Sequence, residues 1–298
     1  MLDDLKLFLA VAASGSFSRA ATLAGTAQPA VSKRIAALER QLDVTLFERT
    51  GRGARLTEAG RALVGRAEAL THAADSLADA LAADVLQARG TVRVAIQPSV
   101  AWPLVRDLFM RIRSTQPGVR LEVAEAPTGQ IAAWLREGRH DIGVLNQPGQ
   151  ELLPNVEPLF APALLLISRA GDTLTSRATV RFDRLDRLPL ITSVMPNGGR
   201  VLLEETARRR RLRLDVVMDV YSIHLIKKLV SEGLAYSIGT MTAIREEVAA
   251  GRLGAARIVA PTLAQPFFLS ITSTRPPSAA VRIVAQAVRD VAAARPAR

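Results

Sequence analysis

Val31, Ile35, Leu38 and Leu42 recur at i, i+4, i+7 and i+11, one continuous face of a helix that must be buried. Gln28, Ser32, Lys33 and Ala36 fall on the opposite side, which stays free to approach another surface. Pro29 suits the first turn, where its missing N–H has no partner to lose, and Thr26 is placed to cap it. Upstream, Leu2, Leu5, Phe8 and Val11 repeat at helical spacing, and a short helix over about 18–24 ends at Gly25. Downstream, Val44, Leu46 and Phe47 read as a strand or buried turn, "TGRGA" as a hairpin tip, and "RLTEAG" as the return strand entering the next helix. From Glu58 to Leu86 the apolar repeat becomes heptad-like: Leu63, Leu70 and Leu77 are seven apart, with Ala67, Ala74 and Leu81 at the alternate positions. Ala88-Arg89-Gly90 ends that helix and marks a domain boundary.

Beyond residue 90 strands and helices alternate. "TVRVAI", a helix over 103–113, "VRLEVAEA", a helix from Thr128 to Glu137 with Thr128 as cap and Gly138 as stop, and "DIGVLN" give the rhythm of an open parallel sheet. "ALLLISR" and "PFFLSITST" bracket a second alternating unit, and a helix over about 278–293 closes the chain. The expected division is residues 1–60, a linker helix over 61–89, and an α/β domain over 90–298. That domain splits into one part of about 90–163 with 268–298 and an inserted part of about 164–267.

Composition narrows the chemistry. The chain has 298 residues, is 49% hydrophobic and carries a net charge of +11, which favours a polyanionic partner. Charge alone does not locate the contact: residues 18–61 have an excess of four positive charges and residues 90–298 an excess of ten. Without cysteine there is no disulfide framework, thiolate zinc site or cysteine nucleophile. His72, His140 and His224 share no metal-ligand spacing, and neither a phosphate-binding glycine loop nor a G-x-S-x-G elbow occurs. "LFLAVAASG" imitates a signal peptide, but Asp3 and Asp4 stand where positive charge is needed. A cytoplasmic protein with no membrane span, no metal and no enzymatic activity is expected.

Two helices joined by a glycine turn, the second opening on Gln-Pro, make a helix-turn-helix whose second helix enters the DNA major groove. Gln28 can pair with adenine, and Ser32 or Lys33 can reach bases or phosphates. Arg49, Arg52 and Arg55 around the hairpin form a basic wing, or else a solvated loop. In the α/β domain, ligands bind where strand ends meet helix starts. Ser99, Trp102, Thr128, Gln130, Asn146, Ser193, Asn197, Arg200, Tyr221 and Ser222 lie at such ends, each also readable as a cap or surface residue. Trp102 is bulky enough to narrow a pocket or stack on an aromatic ligand. "RRRRLR" (208–213) reads as a solvated helix end, with a second nucleic-acid contact as its rival.

The stretch "AASGSFSRAATLAGTAQPAVSKRIAALERQLDVTLFERTGRGARLTEAG" resembles the winged helix-turn-helix of LysR-type transcriptional regulators, over about residues 2–60. Asp43 departs from the pattern by replacing the usual glycine after the recognition helix. The second half resembles the family's effector domain more weakly, through "GRHDIGV" and "LVSEGLAYSI"; "MPNGGRVLLEETA" leans toward the nitrogen-assimilation-control group. The resemblance implies an N-terminal winged helix-turn-helix (α), a linker helix and a periplasmic-binding-protein-like α/β effector domain. It implies base contacts from Gln28, Pro29, Ser32 and Lys33, backbone contacts around Ser18, Thr26 and Arg34, and a wing led by Arg52. It favours dimerisation through Leu63, Leu70, Leu77 and Leu81 over a helix packed only on its own domain. Further implications are double-stranded DNA with a dyad-like operator, a dimer of dimers, RNA polymerase as partner, and a small anionic or aromatic effector in the cleft. Two rivals stand beside this regulator. One is an enzyme or transport protein fused to a DNA-binding head, which needs a catalytic set or export signal. The other is a ligand-independent architectural or repressor protein, which leaves the α/β domain without a role.

Overall fold

The computed structural model describes residues 1–50, 53–82, 88–146, 153 and 156–294, with the side chains of 49, 50, 53, 72 and 75–82 outside that description. Three helices open the chain: α1 (Leu2–Ser14), α2 (Phe17–Leu23) and α3 (Gln28–Leu42). Phe8 and Val11 of α1, Ala20 and Ala21 of α2, and Val31, Ile35 and Leu38 of α3 share one buried cluster with Leu46 and Phe47. The Ser16 hydroxyl accepts from the Arg19 amide, starting α2 one residue ahead of the expected position. Thr26 does not cap α3. Its own amide donates to the Ala21 carbonyl, closing α2, and Ala27 takes the cap position without a side-chain bond. Leu42 is partly exposed rather than buried, because the chain turns away at Asp43. Asp43 has φ 53°, the left-handed conformation expected where a glycine is usual.

The hairpin follows as β1 (Phe47–Thr50) antiparallel to β2 (Gly53–Leu56), and leads into α4 (Glu58–Ala82). Thr57 fixes the start of α4: its hydroxyl donates to the Thr45 carbonyl at 2.7 Å and accepts from the Gly60 amide at 3.0 Å. Gly60 is buried so closely against the Leu46 carbonyl oxygen that a Cβ there would collide with it. Leu63, Val64 and Ala67 pack on the three-helix cluster, whereas Leu70 is 47% exposed. The heptad stripe therefore serves its own domain at one end and lies open one turn-pair later. The side chains of Leu77 and Leu81 lie outside the described residues.

The first α/β unit comprises β3 (Gly90–Ile96), α5 (Pro98–Thr115), β4 (Val119–Glu125), α6 (Thr128–Arg136), β5 (Ile142–Asn146) and β6 (Glu157–Phe160). The chain then crosses into β7 (Leu164–Arg169), β8 (Thr179–Arg181), a 3-10 turn at Phe182–Leu185, β9 (Pro189–Ser193), α7 (Gly198–Arg210) and β10 (Asp215–Val220). It continues through α8 (Ile223–Ser231), β11 (Ser237–Thr240), α9 (Met241–Ala249) and β12 (Leu253–Val259). β13 (Phe267–Ile271) returns to the first unit, and α10 (Ala279–Ala293) covers it. The sheet orders are β4-β3-β5-β13-β6 and β11-β7-β12-β8, with β9 and β10 as a parallel pair.

Neither large sheet is wholly parallel. β13 runs antiparallel to β5 and β6, and β7 antiparallel to β11 and β12. A strand arriving from the other unit comes without a helical crossover, so nothing forces it parallel. Helix α5 starts at Pro98, five residues before the expected 103, because Pro98 opens the helix and Pro103 still lies near its front. β6, β8 and β12 had no counterpart in the sequence reading; "LGAARIV" is too diluted by Gly, Ala and Arg to register as a strand.

Two polar groups anchor the first unit below its sheet. Asp141, 1% exposed, accepts from the Arg93 amide at 2.9 Å and pairs with Arg275 at 2.7 Å. His140 stacks on Trp134 with ring centroids 4.6 Å apart. Burial, then the charges of Arg139 and Arg93, lower its pKa from 6.5 to about 4. The unfolded chain therefore takes up a proton that the fold refuses. Stability should fall as pH drops from about 6.5 to about 4 and level off below, and His140→Gln should flatten that portion of a urea-melt pH profile. Gly60→Ala should lower stability by about 1–3 kcal/mol in the same assay despite its better helix propensity, because the colliding atom belongs to the backbone.

Candidate functional sites, a reading helix and a cleft

Helix α3 presents its unburied side outward. Gln28 Nε2 donates to Ser32 Oγ at 2.9 Å, one turn on, so the two polar groups are held together beside exposed Lys33. Pro29 is exposed in the first turn; it has no N–H and the Ala30 amide donates to the Ala27 carbonyl, so the uncapped front of the helix offers the Gln28 amide, where a phosphate oxygen is well received. Ser18 and Thr26 are exposed nearby. Arg34 is not a free cation: its Nε donates to Asp4 Oδ1 at 2.6 Å, tying α3 to α1. Arg55 is exposed on β2 opposite Glu48. The Arg49 side chain and the whole of Arg52 lie outside the described residues.

Glu39 escaped the sequence reading. Its Oε1 accepts from the Leu46 amide at 2.7 Å and the Phe47 amide at 3.2 Å, fastening the wing to the reading helix. The available signal was its standing as the sole carboxylate of α3, four residues after buried Ile35.

A cleft of about 620 Å³ separates the two α/β units. Four helices begin on its wall. Ser99 lies in the first turn of α5, Thr128 and Gln130 in that of α6, Asn197 caps α7, and Tyr221 and Ser222 precede α8, with Ser193 at the end of β9. Asn197 and Ser222 do cap their helices, accepting from Gly199 at 3.0 Å and Leu225 at 3.3 Å. On the opposite wall α5 and α6 have no side-chain cap. Thr128, expected to cap α6, instead donates to Asn146 Oδ1 at 2.5 Å, because Pro127 holds the cap position.

Three expected residues fall elsewhere. Asn146 is buried behind the wall, where its amide packs on Gly198. Arg200 lines a small adjoining recess with Ser99, Ser193 and Asn197, its guanidinium held by Glu204 at 2.7 Å, Asp219 at 3.3 Å and Thr192. Trp102 is 63% exposed and outside the cleft lining. Starting α5 at Pro98 places Trp102 in the second turn, and its Nε1 donates to Glu246 Oε1 of α9 at 2.7 Å.

Gln97 also lines the cleft, 2% exposed, with Oε1 lacking any hydrogen-bond partner. Ser99 Oγ is likewise unpaired. Buried polar atoms normally find partners, so both invite a ligand or water. A glutamine directly after the apolar run "VAI" and before Pro98 was the overlooked sign. Among the described residues no group of side chains could hold a metal ion, and no helix is long and apolar enough to cross a membrane.

Residues 2–61 match the bacterial regulatory helix-turn-helix of the lysR family, and residues 86–293 match the LysR substrate binding domain. The chain is 30% identical to a probable RuBisCO transcriptional regulator of Trichormus variabilis, over 85% of this chain and 77% of that protein. It is 29% identical to the HTH-type transcriptional regulator BbuR of Bordetella bronchiseptica, over 84% and 77% of the two chains. In fold it is similar to CbnR, a LysR family transcriptional regulator, with a TM-score of 0.73 at 20% identity over 98% of this chain and 99% of that one. Full-length OxyR from Pseudomonas aeruginosa gives the same TM-score at 22% identity, over 97% of each. The chain belongs to the LysR family of transcriptional regulators, a DNA-binding helix-turn-helix joined to an effector-binding α/β domain.

Proposed function

We propose that this regulator reads a dyad-like operator with paired α3 helices and adjusts its grip when a small anion enters the cleft. The observation that carries the ligand class is the cleft wall: α5 and α6 open on it without side-chain caps, leaving the Ser99, Thr128 and Gly129 amides and the positive end of each helix dipole at the space. The unpaired Ser99 hydroxyl stands among them. Tyr221 supplies one aromatic face, whereas Trp102 lies outside the lining. A carboxylate fits this wall better than a cation or a purely apolar compound.

On the DNA side, Gln28 and Ser32 act as a coupled pair that meets base edges, Lys33 meets phosphate or base, and the arginine hairpin follows the neighbouring backbone. Arg34 serves mainly to brace α3 on α1. The solved relative CbnR has been captured with its target DNA, which supports DNA as the partner here. The working parts are residues 1–60 for DNA, 61–89 for self-association, with Leu70 exposed on that helix, and 90–298 for the effector. We take the assembly to be a homotetramer in the cytoplasm that addresses RNA polymerase.

Binding to the DNA flanking the protein's own gene, against a scrambled duplex at two salt concentrations, tests the reading. Site-specific recognition gives a preference of roughly a thousandfold or more; equal and salt-steep binding to both supports the architectural alternative. Gln28→Ala should lose about 1–3 kcal/mol of discrimination at one base pair. Lys33→Ala should weaken all duplexes alike and lower the salt slope by about one if it reaches only phosphate. In a thermal-shift screen of small carboxylates, Ser99→Ala should weaken any hit about tenfold or more while leaving the unliganded melting temperature unchanged, since its hydroxyl has no hydrogen-bond partner within the protein.

A further inference from the structure

Helix α6 has two different neighbours at its two ends. Its first turn, Thr128 to Gln130, is cleft wall. At its other end the chain turns through Glu137, Gly138 and Arg139, and Arg139 Nε forms an ion pair with Glu68 of the linker helix α4. Gly65, one turn before Glu68, lies against the same two side chains: a Cβ there would sit 3.5 Å from Glu137 and 3.6 Å from Arg139. The guanidinium of Arg139 also lies over the Trp134 ring of α6, 5.8 Å from its centroid. Arg139 is thus held from both sides, by the linker and by the helix it follows.

Beside this contact runs a groove of about 760 Å³ between α4 and the first α/β unit, bordered by Arg66 and Leu70 on one side and Thr274 and Arg275 on the other. Among the described side chains, the linker meets the unit at Arg139 beside this open groove. A narrow polar contact between two rigid bodies can be made and broken without disturbing either core.

We propose that α6 is the rod connecting ligand occupancy to the DNA-binding arm, and that Glu68–Arg139 is the latch through which it acts. The proposal rests on the ligand reading of the cleft given above. A ligand held at the first turn of α6 pulls on a helix only nine residues long, whose far end carries the latch. Any shift there changes the angle at which α4, and α3 with it, leaves the α/β domain. Because the coupling is an equilibrium free energy it is reciprocal: weakening the latch must be felt at the cleft even without ligand. Glu68 and Arg139 are positioning residues, touching neither DNA nor ligand.

The test needs no identified effector and exploits the absence of native cysteine. Spin labels are placed at Ala37→Cys on α3 and Arg113→Cys on α5 of the full-length protein, and labelled chains are diluted into unlabelled ones. Pulsed dipolar distances should form one narrow distribution in the parent. Glu68→Gln and Arg139→Gln should each broaden or shift it, and the reversed pair Glu68→Arg with Arg139→Glu should restore it. Hydrogen exchange is read in parallel at residues 131–135 of α6. Glu68→Gln, a change on another element, should speed exchange there about fivefold or more. Unchanged distances in both single variants would overturn the latch. Altered distances with unchanged exchange in α6 would overturn the rod. Specific duplex binding by the parent is measured alongside; its failure would sink the functional reading above while leaving the distance and exchange results to judge the latch on their own.

Discussion

Residue 46 is where the reading head is fixed. The Leu46 side chain is wholly buried in the three-helix cluster, its amide donates to Glu39 of α3, and its carbonyl accepts from the Thr57 amide that precedes α4. Gly60 presses on that same carbonyl. Helix α3, the hairpin and α4 thus meet at one residue, each through a different kind of contact. A DNA-binding surface needs this rigidity, because base readout fails when the donors wander by an ångström or so. The stretch "LTEAG" is explained locally: Thr57 starts the helix, and glycine alone permits the approach.

The effector half has the opposite character. Its two sheets are each tightly packed, but the chain passes between them only as single strands, and the wall facing the gap holds polar atoms without partners. A buried polar atom without a partner in the fold is one that a polar ligand can satisfy. Stability is thus concentrated within the units, and readiness to respond lies between them.

Legibility in the sequence followed the same division. Long amphipathic helices and apolar strands were readable because period and burial coincide, as for Val31, Ile35 and Leu38. Contacts made by a side chain reaching another element were not: Glu39 reaching β1, Trp102 reaching α9 and Thr128 reaching Asn146 depend on tertiary placement. Helix starts misled for a related reason. Thr26 and Thr128 have the right chemistry for capping, but Ala27 and Pro127 hold the cap positions, leaving one threonine ahead of its helix and the other inside it. Short edge strands such as Thr179–Arg181 carry too few residues for any period to emerge.

The two helices that open uncapped on the cleft have an evolutionary consequence. Their donors are backbone amides, and no substitution other than proline removes a backbone amide. On the proposed reading, a preference for negative charge rests on the path of the chain, while size and shape selection rests on side chains such as Gln97, Ser99 and Tyr221. On that reading, a lineage built on this frame can change which acid it takes without passing through a form that takes none.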